Sequence, residues 1–211
     1  MKFIMENKFQ HKTGIIILAA GNSSRLGRPK QLLQFKETTL LKNTISEALK
    51  VEKSFVIVVT GSNHDLIEKE LQSLEVTISF NPEWGIGMSS SIVKGITDLL
   101  FLNPDCEQLI LTVCDQPFVT NSIFENLISE FQKTQKGIAA SAYADTLGTP
   151  VLFRQKYFQE LQELKGQEGA KKLIKKYTED VVSVPFEKGN IDIDTEEDYL
   201  KFLFERDKGA E

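Results

Sequence analysis

The residues best equipped for chemistry lie between Gly14 and Lys30, in the run GIIILAAGNSSRLGRPK. Arg25 and Lys30 belong to a polar stretch bracketed and followed through by Gly21 and Gly27. That stretch follows the β-branched run Ile15-Ile16-Ile17-Leu18 and a pair of alanines, Ala19 and Ala20. An apolar strand running into a glycine-rich basic loop is how α/β proteins present backbone N–H groups to a phosphate. Small residues let the backbone approach the anion, and the cations supply counter-charge. The spacing excludes two common versions of such a loop. A Walker loop needs four residues between its glycines and then Lys-Ser/Thr, whereas five residues separate Gly21 from Gly27, and Arg28-Pro29 precede Lys30. The dinucleotide fingerprint fails because Ser23 stands where its second glycine belongs. The bland alternative, a strand-to-helix connection with incidental charge, has to explain why Arg25, Gly27 and Lys30 fall in register.

Three further groups could join this loop. Asp115 follows the apolar run Leu109 to Cys114 and precedes Gln116-Pro117. A carboxylate at the tip of a buried strand suits Mg²⁺, which takes one or two carboxylates plus phosphate oxygens and water; a turn or helix-capping aspartate is the competing role. Near the other end, Asp192 and Asp194 alternate in NIDIDT. In an extended segment that spacing puts both on one face, where they repel unless a cation compensates. Asp194 immediately precedes Thr195 and has capping to do, so Asp192 is the better second metal ligand. The third group is Asn81 to Ser91, NPEWGIGMSSS. Its glycines loosen the backbone, and Ser89, Ser90 and Ser91 open a helix with donors for a base, ribose or phosphate. Capping is the alternative for these serines, and core cover is the alternative for Trp84. His11 and His64 lie in no motif. Lys171, Lys172, Lys175 and Lys176 read as a solvated helix face that would also attract an anionic second substrate.

The elements that must position these groups follow from periodicity. Continuous apolar runs predict buried strands at Gly14–Ala19, Ser54–Thr60, Val76–Phe80 and Glu107–Val113, with shorter ones at Ile138–Ala142, Thr149–Phe153 and Val181–Val184. Helical periods fall at Thr39–Leu49, His64–Leu74, Met88–Leu102, Ser122–Lys133, Lys156–Leu164 and Gly169–Tyr177. A last helix runs from Thr195 to Phe204, with Asp198 placed to complete a capping box. Strands apolar throughout and alternating with helices imply a mostly parallel sheet covered on both faces. Ligands of such sheets bind beyond the carboxyl ends of the strands, and each chemical motif here sits at such an end. We expect one domain over residues 1–211, with Met1 to Thr13 a loose extension.

Composition narrows the class. The 25 basic and 30 acidic residues give a formal net charge of −5, which argues against general nucleic-acid binding and leaves room for local cations around a nucleotide. Cys106 and Cys114 are too few for a structural zinc site and are expected as buried thiols. The polar start of the chain has no signal-peptide core, and no apolar run is long enough to span a membrane, so a cytoplasmic location is expected.

The loop matches the nucleotidyltransferase signature LAAG-x-S-x-R-[ML]-G-x-x-K. With NPEWGIGMSSSI, VCDQP, GTPVLF, GQEGAKKLI and DIDTEEDY in order, the chain resembles the molybdenum cofactor cytidylyltransferases, within the molybdopterin nucleotidyltransferase (MobA-like) family. The resemblance implies a Rossmann-like three-layer α/β sandwich of the nucleotide-diphospho-sugar transferase type. It implies transfer of CMP from CTP to the terminal phosphate of a molybdopterin, Ala20 pointing to CTP because the guanylyl enzymes carry glycine there. It implies nucleotide contacts from Leu18, Ala19, Ala20, Gly21, Ser24, Arg25, Gly27, Lys30, Gly87, Met88 and Ser89. Lys30, Arg25 and Asp115 would be catalytic, and Asp115 and Asp192 would hold Mg²⁺, with Mn²⁺ as a substitute. A molybdoenzyme receiving the product is an implied partner. Gln167 and Lys171 depart from the Asp and Arg often found in the family segment thought to face the pterin. Two alternatives stand beside this reading: another phosphorylated acceptor such as a sugar- or polyol-phosphate, and a non-catalytic molybdopterin-binding insertion chaperone.

Overall fold

The computed structural model describes residues 12–208. Residues 1–11, most of the expected extension and His11 with it, lie outside the described residues. The apolar runs build a seven-stranded sheet from β1 (Thr13–Ala19), β4 (Ser54–Thr60), β5 (Thr77–Phe80), β6 (Gln108–Val113), β7 (Ile138–Tyr143), β8 (Thr146–Arg154) and β9 (Val181–Pro185). Its order is β5-β4-β1-β6-β8-β7-β9. β1 pairs in parallel with β4 on one side and β6 on the other, and β8 alone runs antiparallel to its neighbours β6 and β7. The expected strand at Thr149–Phe153 is thus longer and reversed. A two-residue turn at Ala144-Asp145, both at positive φ (44° and 59°), folds β7 directly back into β8. A glycine-free turn of this kind carries little sequence signal.

Successive side chains of a strand point to opposite faces, and the two cores follow that alternation. Ile15 and Ile17 pack with α1 (Leu40–Leu49), α2 (His64–Leu71) and α4 (Asn121–Thr134), through residues such as Ile45, Ile67 and Phe124. Ile16 packs on the other face with α3 (Met88–Leu102), α5 (Phe158–Gln162) and α6 (Lys171–Lys176), through Ile96, Leu161 and Ile174. The three layers expected from the sequence are present. Both cysteines are buried free thiols. Among the described residues no helix is long and apolar enough to cross a membrane.

The topology places the site. From β1 the chain moves outward through β4 to β5, then returns along α3 to β6 on the opposite side of β1. Loops leaving β1 and β6 therefore diverge and open a crevice at the carboxyl ends of these adjacent strands.

A third, smaller core closes this end. It joins Leu26, Leu33, Phe35 and Leu40 to Ile193, Tyr199 and Phe202. The first group lies around a short ribbon of β2 (Gln34–Phe35) and β3 (Thr38–Thr39), and the last two lie on α7 (Glu196–Lys208). The Phe35 and Phe202 rings stack at 5.5 Å, and Tyr199 donates a hydrogen bond to the Gln34 carbonyl at 3.0 Å. The expected capping box is formed: Asp198 Oδ2 accepts from Thr195 N–H at 2.9 Å, and Thr195 Oγ1 accepts from Asp198 N–H at 3.2 Å. The C-terminal segment is thereby fixed against the basic loop.

Candidate active site

The loop after β1 is tied down by its own polar residues. Buried Gln31 donates from Nε2 to the carbonyls of Ala19 and Gly21, both at 2.9 Å. Ser23, at φ 53°, accepts from the Leu26 and Gly27 N–H groups through its carbonyl, and from the Lys30 N–H through Oγ at 3.0 Å. Gly27, at φ 74°, adopts the left-handed region that glycine enters without cost. These bonds bring Lys30 back beneath the loop toward the end of β6.

There the charges meet. The Lys30 ammonium donates to Asp115 and, at 2.9 Å, to Asp194 Oδ1. Arg25 donates to Asp194 Oδ2 at 2.7 Å. Arg28 donates to Glu196 at 2.8 and 2.9 Å and lies over the Tyr199 ring. Burial alone would push Lys30 down, but the charges and hydrogen bonds of Asp115 and Asp194 outweigh it and hold the ammonium well above its ordinary value. Burial likewise opposes ionisation of Asp194, and Lys30 with Arg25 reverses that, keeping its carboxyl below the usual range. Asp192 is the opposite case. It is solvent-exposed as a residue but lines the crevice, where partial desolvation and then the charges of Asp115 and Asp194 push it up to about 6.

Two cavities adjoin at this cluster and share Leu18, Met88, Val113, Asp115 and Gln167 as walls. One, about 380 Å³, is lined by Ala20, Gly21, Asn22, Lys30, Trp84 and Ser91. The other, about 360 Å³, is lined by Gln116, Tyr143, Thr149, Lys171 and Asp192. Gly87, at φ 132°, lines the first, and a Cβ on it would lie 2.4 Å from the Gly166 carbonyl oxygen. That close approach lets Ser89 donate from both N–H and Oγ to Gly166, at 3.2 and 2.8 Å.

Of the residues singled out from the sequence, Leu18, Ala20, Gly21, Lys30, Gly87, Met88 and Asp115 line the first cavity, and Asp192 lines the second. Ala19 is buried, with its carbonyl bonded to Gln31. Ser24, Arg25 and Gly27 lie on the exposed outer limb of the loop. Ser89 is buried with its hydroxyl spent on Gly166, and Ser91 faces the cavity, accepting from Asn81 Nδ2 at 3.0 Å. The Asp194 carboxylate takes no part in capping α7, which Thr195 and Asp198 do together; it anchors the two loop cations instead. The lysine run divides. Lys172 and Lys176 pair with Glu168 and Glu160, while Lys171 turns to the second cavity. His64 is engaged with Thr60 and the Phe80 ring, outside both cavities.

Three residues of the site carried little or no signal. Gln116 donates to the Gly189 carbonyl at 2.6 Å and accepts from Thr149 Oγ1 at 3.2 Å, pinning the loop after β6 to β8. Its position beside Asp115 in VCDQP was the one available hint. Thr149 lies in the GTPVLF run, yet its place at the crevice depends on the reversal of β8, and that of Tyr143, at the end of β7, on the turn that follows it.

The crevice offers carboxylates to a divalent ion. Among the described residues, no group of three or more His, Cys, Asp or Glu side chains is arranged to hold one. Asp115 and Asp192 do face one cavity, and burial first, then the charges of Asp115 and Asp194, raise the pKa of Asp192. Two carboxylates open to a cavity fit an ion that takes its remaining oxygens from phosphate and water, as Mg²⁺ does.

The chain is similar to several known proteins. The family model for the MobA-like NTP transferase domain matches residues 15–181. The molybdenum cofactor cytidylyltransferase of Escherichia coli is 30% identical over 114 residues, 54% of this chain and 57% of that protein. The bifunctional protein GlmU of Francisella tularensis subsp. novicida is 25% identical over 68% of this chain and 30% of its own length. The chain thus spans less than two thirds of these curated relatives. Among solved structures, the Mycobacterium sp. strain JC1 homologue of Rv0371c superposes with a TM-score of 0.79 at 30% identity, covering 93% of this chain and 97% of that one. Rv0371c of Mycobacterium tuberculosis H37Rv in complex with manganese superposes with a TM-score of 0.75 at 25% identity, covering 92% and 98%.

Proposed function

The chain belongs to the MobA-like NTP transferase family, and from that premise we propose that it transfers CMP from CTP to the terminal phosphate of molybdopterin, releasing pyrophosphate. The observation that supports this most is the meeting of Lys30, Asp115, Asp192 and Asp194 in one crevice, where two cavities adjoin. One cavity suits the nucleotide and the other the acceptor. Ala20 and the similarity to the Escherichia coli cytidylyltransferase support CTP as the donor.

In this reading the triphosphate takes over Arg25 and Lys30, with Lys30 at the α-phosphate. An oxygen of the acceptor phosphate attacks the α-phosphorus in line. The new P–O bond forms as the bond to the bridging oxygen breaks, and pyrophosphate leaves with that electron pair. The nucleophile is already an anion, so no base is required. Rate enhancement then comes from positioning and from neutralising charge that builds on the α-phosphate. Asp194 pre-positions both cations before substrate arrives. Glycine at 21 and 87 keeps the cavity walls low enough for phosphate to approach. Asp115 and Asp192 would hold Mg²⁺, or Mn²⁺ as in the mycobacterial relative, and that ion supplies further neutralisation of the reacting phosphates. A cytoplasmic location and handover of the product to a molybdoenzyme complete the proposal.

Pyrophosphate release tests it, with CTP, GTP and ATP, each with and without molybdopterin and Mg²⁺. Release confined to CTP with molybdopterin and Mg²⁺ is the expected result. Release only with a sugar- or polyol-phosphate would move the acceptor, preference for GTP would move the donor, and no release at all would favour an insertion chaperone.

A further inference from the structure

Tyr143 is the last residue of β7, set just before the positive-φ turn that reverses the chain. Its ring meets Phe186 edge-on, with centroids 6.1 Å apart at 86°. It also lies flat against two glycines. A Cβ at Gly148 would fall 2.2 Å from its hydroxyl, and one at Gly189 would fall 2.3 Å from its Cδ1. Burial lifts the pKa of the phenol above its ordinary value, and the nearby Thr149 and Gln116 offset part of that rise. A side chain fixed from so many sides has one orientation available, yet it is not in the core. It remains partly exposed and lines a cavity on each side.

The inner cavity is the 360 Å³ space beside Asp115 and Asp192. The outer one is an open groove of about 800 Å³, with Thr146, Lys175, Thr178, Ser183 and Glu187 among its walls. Tyr143 and Lys171 belong to both. These two side chains thus stand between the crevice and the larger groove.

We propose that Tyr143 is the acceptor-positioning residue. The acceptor is a phosphate monoester whose body crosses the Tyr143 partition into the outer groove, and the fixed ring and hydroxyl set the angle at which its phosphate enters the crevice. This rests on the transferase reading above and adds to it the residue that sets the approach of the acceptor. A preorganised aromatic wall costs little ordering on binding, which is why such residues dominate recognition.

The experiment is steady-state kinetics with CTP, Mg²⁺ and either molybdopterin or a five-carbon polyol phosphate, on wild type, Tyr143→Phe, Tyr143→Ala and Ser183→Phe. Nucleotide affinity is read separately from the fluorescence of Trp84, the single tryptophan, which lines the other cavity. Tyr143→Ala is expected to raise KM for molybdopterin about tenfold or more, with CTP affinity within about twofold, and Tyr143→Phe to fall between. Ser183→Phe, which narrows the groove from β9 and leaves Trp84 the single tryptophan, is expected to raise the same KM and leave that for CTP unchanged. It decides alone if Tyr143→Ala does not fold. An unchanged molybdopterin KM in the folded variants overturns the proposal, as do equal losses of CTP and molybdopterin binding. Turnover of the polyol phosphate alone overturns it too. If wild type turns over neither acceptor, the transferase reading has failed. Equilibrium binding of molybdopterin then decides: weaker binding to Tyr143→Ala than to wild type supports the partition, and equal binding, or none, overturns it.

Discussion

Replacing Asp194 with asparagine keeps the shape of the side chain and removes the one charge that binds both loop cations. Its oxygens lie 2.9 Å from Lys30 and 2.7 Å from Arg25, with side-chain exposures of 34%, 18% and 70% for Asp194, Lys30 and Arg25. At an effective dielectric near 20, the raw attraction at the Lys30 distance is about 6 kcal/mol, most of it cancelled by desolvation. A charge-assisted hydrogen bond in partial burial retains about 1.5–2 kcal/mol, and the exposed Arg25 pair adds less than about 0.5. The expected loss is therefore about 2 kcal/mol, or a fall of about 4–8 °C in Tm for a chain of this size. The sign with pH follows from the depressed carboxyl of Asp194. Its contribution is present in full above the ordinary carboxylate value and is lost as pH falls through the lowered one. The gap between wild type and Asp194→Asn should thus be complete at pH 7 and close below about 4. Denaturant unfolding across pH, with a double-mutant cycle against Lys30→Met, measures it. A coupling of about 1–2 kcal/mol with Lys30, and less than about 0.5 in the same cycle with Arg25→Met, is the expected pattern. A Tm within about 1 °C of wild type at pH 7, or zero coupling to Lys30, would refute the reasoning.

Gly87→Ala is expected to weaken CTP binding by about tenfold or more, read by Trp84 fluorescence, because neither φ 132° nor the 2.4 Å approach to Gly166 accommodates a Cβ; unchanged affinity would show that the wall tolerates it. Asp192, at about 6, should make Mn²⁺ affinity climb steeply from pH 5 to 7 in calorimetric titrations, and Asp192→Asn should flatten that climb. The same raised value means that its contribution to metal-free stability is full below about 4 and lost as pH rises through about 6. A stability profile identical in Asp192→Asn over that range would contradict it.

The parallel half of the sheet was legible because β1, β4 and β6 are apolar on both faces, a pattern that half-exposed strands do not give. Helix α7 was legible through Thr195 and Asp198, whose pairing is local and needs no tertiary information. Strand β8 was mistaken in length because its first residues hold a single apolar side chain, Leu147, between Thr146 and Gly148, and pair only with β7. In the site, the basic loop and Asp115 announced themselves by type and position. The pairing of Asp194 with Lys30 and Arg25 did not, because a carboxylate beside a cap looks as able to serve the helix as to bind a cation. Nor did Tyr143, an aromatic at the end of a strand, whose setting depends on glycines five and forty-six residues away.

The account stands most directly on one rate: pyrophosphate release from CTP and molybdopterin by Lys30→Met, measured beside wild type on protein shown to be folded. Loss of about 10²-fold or more, at a Trp84-reported CTP affinity that changes far less, is expected if Lys30 neutralises charge at the reacting phosphorus. Turnover within about threefold of wild type would contradict a transfer centre in the crevice between β1 and β6.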